Sequence, residues 1–132
     1  MANNLTDTAE LRMLDWINVV GTPTRPTAPL KVALFTTAPN QETGSGGTEV
    51  SAGGYARQNV TFGAASAGAA SNSGAVTFGP ASASWGTVVA AGIYDDAGTP
   101  VLLWSGNLSA SKTIDNGDSF QFAIGQITVA LD

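Results

Sequence analysis

Thr87-Val88-Val89-Ala90-Ala91-Gly92-Ile93-Tyr94 is the stretch that decides the fold class. It is rich in β-branched and aromatic residues and reads as a strand. Taken with a period of two, Val88, Ala90 and Tyr94 alternate with Val89, Ala91 and Ile93, so both faces are apolar. Strands of an antiparallel sandwich normally turn one face to water, so a doubly apolar strand needs a second cover. A helix or another subunit is the expected source of that cover, unless the strand simply sits centrally with small residues tolerated outside.

Outward from this strand the same pattern recurs. Strands are expected near 30–37, 55–62, 75–78, 101–105, 119–124 and 126–131, with an extra one around 112–114. Asp95-Asp96-Ala97-Gly98 and Asp115-Asn116-Gly117-Asp118 carry residues that tolerate positive φ and should join antiparallel neighbours. Two longer connections, 38–54 and 63–74, are rich in Gly, Ala, Ser and Asn, and loops of that length are usually functional or mobile. The expected fold is all-β, an antiparallel β-sandwich or jelly roll of seven to eight strands with one N-terminal α-helix. The domain reading is a helical arm and Pro-rich linker over 1–29 and a β-sandwich over 30–132.

The helix is expected over 7–21, where Met13, Trp16, Ile17 and Val20 recur at helical spacing and Arg12, Asp15 and Asn18 fall opposite. Asp7 fits the N-cap with Glu10 three residues on, and Gly21 fits the position just past the end. Three prolines between 22 and 29 forbid continuation.

Composition excludes much chemistry. The 132 residues hold no Cys and no His, which removes thiol nucleophiles, disulfides, Ser-His-Asp triads and thiolate or imidazole zinc sites. Only 11% of residues are charged and the net charge is −5, with five cations scattered over the chain, so no basic stripe exists for nucleic acid or an anionic membrane. The first residues lack the basic and apolar regions of a signal peptide, and no apolar run approaches the roughly 20 residues of a membrane span. The expectation is a soluble chain made in a cytoplasm.

Isolated motifs carry little. Ser109-Ala110-Ser111-Lys112 has the S-x-x-K spacing but lies in a β-rich stretch, where Ser and Lys need not converge. Asp95/Asp96 and Asp115/Asp118 are carboxylate pairs in turn sequences without the ligand density of a calcium loop. The glycines at 44–47 lack the lysine of a phosphate-binding loop. Tyr55, Trp85 or Trp104 would suit stacking against a sugar ring only if exposed. Arg57 could pair with a carboxylate across a subunit boundary, or form an ordinary surface salt bridge.

Ordered pieces of the chain resemble a family of small tailed-bacteriophage virion proteins, variously labelled tail fibre, minor tail or head-decoration proteins. They are Leu5-Thr6-Asp7-Thr8-Ala9-Glu10 leading into Leu14-Asp15-Trp16, Pro29-Leu30-Lys31-Val32-Ala33-Leu34-Phe35-Thr36-Thr37-Ala38-Pro39 and Gly53-Gly54-Tyr55-Ala56-Arg57-Gln58. Ser84-Trp85-Gly86-Thr87, Gly92-Ile93-Tyr94-Asp95 and Gly117-Asp118 continue the likeness. The resemblance implies a non-enzymatic virion structural protein without catalytic residues, cofactor or metal. The 132 residues hold no heptads, collagen repeats or β-helix to build a shaft, which favours a capsid decoration or cement protein over a tail-fibre or tail-tip component. Expected partners are further copies of the chain, in a homo-oligomer such as a trimer, and the major capsid protein or tail proteins of the particle. A host glycan is the alternative ligand. Met13, Trp16, Ile17, Val20 and Arg57 are the expected subunit-interface residues.

Overall fold

The computed structural model describes residues 2–131; Met1 and Asp132, which end the two expected segments, lie outside the described residues. In chain order the elements are β1 (Ala2–Leu5), α1 (Asp7–Ile17), β2 (Leu30–Thr37), β3 (Thr48–Glu49), β4 (Gln58–Val60) and β5 (Ala69–Ser71). There follow β6 (Val76–Phe78), β7 (Gly86–Tyr94), β8 (Leu102–Ile114), β9 (Phe120–Phe122) and β10 (Thr128–Ala130).

The large sheet has the order β3-β2-β7-β8-β1-β10-β5, with β4 also pairing β2, and a small second sheet pairs β6 with β9. Named strand pairs are antiparallel except β1 with β10, which is parallel. The fold is thus all-β with one N-terminal helix, as the strand pattern implies. Between the sheets Val32, Leu34, Ala91 and Ile93 from β2 and β7 pack with Val76, Phe78, Phe120 and Phe122 from β6 and β9. Tyr55, Phe78, Phe120 and Phe122 form a run of ring contacts with centroids 4.9–6.3 Å apart, and Trp85 meets Tyr55 edge-on at 5.5 Å. Each such pair is worth about 0.5–1.5 kcal/mol beyond its buried area.

The outer face of β2 and β7 buries Ala33, Phe35 and Ala90 against Ala38, Val89 and Tyr94. The second cover required by the doubly apolar strand therefore comes largely from this chain's own side chains. A register shift between Val88 and Ala90 puts Val88 and Ala91 in the inner cluster and Ala90 in the outer one. This bulge breaks the simple alternation read from the sequence.

Several expected boundaries are corrected. The stretches around 101–105 and 112–114 belong to one continuous strand, β8. The Asp115–Asp118 turn leads from β8 to β9, which pairs β6 in the other sheet, so it crosses layers instead of closing a hairpin. Segment 63–74 contains β5, and β1 lies within the stretch read as an arm. Residues 40–45 form a closed turn in which the Asn40 side chain accepts the N–H groups of Glu42 and Thr43, and Gly44 N–H donates to Asn40 O.

The helix ends at Ile17, not at 21, and Asp7 is its first residue instead of its cap. Thr6 occupies the N-cap, but its hydroxyl donates to Leu102 O at 2.7 Å, so the side chain anchors the helix to β8. The Asp7 N–H, one of the donors a helix start leaves over, is taken by Glu42 O at 2.7 Å. At the other end Val20 N–H reaches Asp15 O and Val19 N–H reaches Trp16 O, a Schellman arrangement. It places Val19 at φ 59°, where glycine is the usual residue and a β-branched side chain is strained by about 1–2 kcal/mol. Val19→Gly is expected to stabilise the fold by roughly 1 kcal/mol, raising Tm by about 4 °C in thermal denaturation. An unchanged or lower Tm would show that the strain is relieved elsewhere.

Candidate functional site

The expected interface residues of α1 and of the turn after it are mostly exposed. Trp16, Ile17 and Val20 are 72%, 61% and 55% accessible, Leu11 and Leu14 are also exposed, and Ala9 is the buried residue of the helix. Met13 is half-buried. Burying Trp16 and Ile17 alone would be worth several kcal/mol, at about 1.5–3 kcal/mol for a large apolar side chain.

Beside it runs a groove of about 420 Å³ between α1, the 23–26 segment and β8. Ala9, Met13 and Trp16 form one wall and Leu103 and Trp104 the floor. Pro23 and Pro26 hold the 23–26 backbone extended as the opposite wall, which carries Arg25. Arg12, expected on the polar side of the helix, lines this groove with Arg25. Among the described residues neither arginine has a carboxylate within salt-bridge distance. Sequence reading missed this convergence because the fold-back of the linker leaves no local pattern.

Arg57 lies elsewhere and is satisfied within the chain. Its Nε donates to Glu49 at 2.9 Å, its Nη2 sits 2.8 Å from the same carboxylate, and the guanidinium stacks 3.7 Å from the Tyr94 ring centroid. Burial lowers its pKa, but the hydrogen bond and attraction of Glu49 outweigh this and raise it. Burial also pushes the Tyr55 phenol far above its usual range, so it stays neutral while its oxygen accepts the Leu34 N–H at 2.9 Å.

The other aromatics divide. Trp85 is buried and donates its indole N–H to Gly53 O at 3.0 Å, and Tyr55 stacks on Phe78, so neither is a sugar platform. Trp104 is half-buried on the groove floor. Ser109 and Lys112 both lie on β8, and Lys112 approaches the Phe120 ring at 5.8 Å. Among the described residues no three carboxylates converge to hold a metal ion. Asp95 instead accepts the Val101 N–H at 2.8 Å, and Asp118 accepts the Asp115 N–H at 3.0 Å, both serving their turns. No helix among the described residues is long and apolar enough to cross a membrane.

No curated protein matches the chain. A family model described as Podophage GP4 fiber I protein gp80 matches residues 4–130, from β1 through β10. With that match spanning nearly the whole fold, the chain belongs to the Podophage GP4 fiber I protein gp80 family and is a structural component of a phage particle.

Proposed function

We propose that the protein is a non-enzymatic subunit of the fibre apparatus, carried on the tail of the particle and assembled there by subunit contacts. The observation that carries this reading is the match over residues 4–130 to a family described as a fibre protein. It outweighs the expectation of a capsid decoration protein, which rested on the missing shaft. A compact domain joins a fibre by docking on other copies of itself or on tail proteins, so reach comes from the assembly. The exposed α1 surface supplies the area for such docking.

Gold labelling of the protein on intact virions, with label counted per particle, tests this. Label confined to the tail at a few copies is expected. Label over the capsid at hundreds of copies would restore the decoration reading, and unlabelled virions would remove both. Deleting residues 1–21 is a poor test of docking, because it also removes β1 from between β8 and β10. Substitutions on the exposed face of α1 leave the sheet intact.

A further inference from the structure

The groove between α1, the 23–26 segment and β8 carries a charge pattern at odds with the rest of the chain. The protein is acidic, with a net charge of −5. Two of its other cations are neutralised internally, Lys31 by Asp96 at 2.9 Å and Arg57 by Glu49 at 2.8 Å. Arg12 and Arg25, from separate segments, meet on one apolar concavity without a carboxylate partner among the described residues. Trp and Arg are the residue types that dominate binding energy at protein interfaces, and here Trp16 and Trp104 line the same groove as both arginines.

We propose that this groove seats an extended segment of another virion protein, one that sets a large apolar side chain beside an Asp or Glu. This deepens the fibre reading and rests on it for the partner's place in the particle. The apolar side chain would fill the space between Trp16 and Trp104, and the carboxylate would accept hydrogen bonds from Arg12 and Arg25. About 420 Å³ accommodates a few side chains. Outside the groove lining Ile17 and Val20 are exposed as well, apolar surface that a single sugar ring would leave uncovered, which favours a protein occupant over a saccharide. A second copy of this chain would bring its own excess negative charge to the whole contact, which favours a different protein.

The test uses the full-length protein on overlapping 15-residue peptides spanning the other structural proteins of the particle, with hits titrated by tryptophan fluorescence. Bound peptides are expected to share an acidic residue next to Leu, Ile, Phe or Trp, and to bind more weakly as salt rises. Arg12→Gln and Arg25→Gln should each weaken binding about tenfold, the loss of one charged hydrogen bond, with circular dichroism unchanged. Failure to bind any peptide, or binding indifferent to both substitutions, overturns the proposal. So does self-association by sedimentation that the substitutions abolish, which makes a second copy the occupant. Arginine-dependent binding of polygalacturonate without peptide binding would assign the groove to an acidic glycan. Gold labelling is independent of the arginines: tail label with no arginine-dependent peptide overturns only the groove proposal. Capsid label with such a peptide overturns only the fibre reading.

Discussion

Asn72→Ala is expected to lower the unfolding free energy by about 3 kcal/mol or more, a large share of the roughly 5–15 kcal/mol that holds a domain together. Asn72 is buried in the segment before β6, and its side chain serves three backbone groups. Its Nδ2 donates to Gly74 O at 2.8 Å and Ala123 O at 3.0 Å, and its Oδ1 accepts the Ile127 N–H at 2.9 Å. Alanine orphans the buried Ile127 N–H, which costs about 1–3 kcal/mol, and takes one donor from each of the part-buried Gly74 and Ala123 carbonyls, the latter keeping the Gln126 N–H at 3.1 Å. The urea midpoint measures the loss, and Asn72→Asp should cost at least as much at neutral pH, since it keeps the acceptor for Ile127 but sets a buried carboxylate oxygen against the Gly74 and Ala123 carbonyls. A loss below about 1 kcal/mol for alanine would mean that water takes over the three bonds.

Gly53→Ala should be comparably severe, for a different reason. Gly53 has φ +54°, and a Cβ there would stand 2.5 Å from Ala83 O and 2.6 Å from Ala83 N. Backbone atoms cannot swing aside as a side chain would, so the two segments must part. Parting them strains the bonds that Gly53 O accepts from Trp85 Nε1 at 3.0 Å and from Ser82 N at 2.9 Å. Adding about 1–2 kcal/mol for the left-handed backbone to the weakened bonds gives an expected loss of about 3 kcal/mol. Gly54→Ala is the control: φ is +74°, but a Cβ would meet only Ser82 Oγ at 3.4 Å. It should lose about 1–2 kcal/mol by urea denaturation and keep the near-ultraviolet signal of Trp85. Equal losses at the two positions would mean that the contact with Ala83 contributes nothing.

Strands with strong local signals were legible in the sequence. β2 is bounded as its alternation and the preceding Pro29 imply, and β7 differs from its expected start by one residue. β5 is Ala-Ala-Ser, without a β-branched or aromatic residue, and it extends only because β10 pairs with it. β1, with two asparagines, is likewise made by its neighbours β8 and β10. At α1 the amphipathic pattern located the helix, but its cap was misread because Thr6 spends its hydroxyl on Leu102 O. Of the groove, Met13 and Trp16 were identified as contact residues. Arg12 and Arg25 were not linked, since thirteen positions of helix end and proline-rich chain separate them and only tertiary structure joins the two.

The parallel pairing of β1 with β10 sets an order of events during synthesis. Ala2 lies opposite Thr128 and Asn3 opposite Val129, so the first of the described strands to leave the ribosome takes a neighbour from the last of them. Its other partner, β8, also comes late in the chain. At about 5–20 residues per second, β1 waits on the order of ten seconds with both edges open. During that interval its backbone is a template for any passing strand, including one from another nascent copy. At four residues that template is short, one of the ways in which open edges are kept from pairing prematurely.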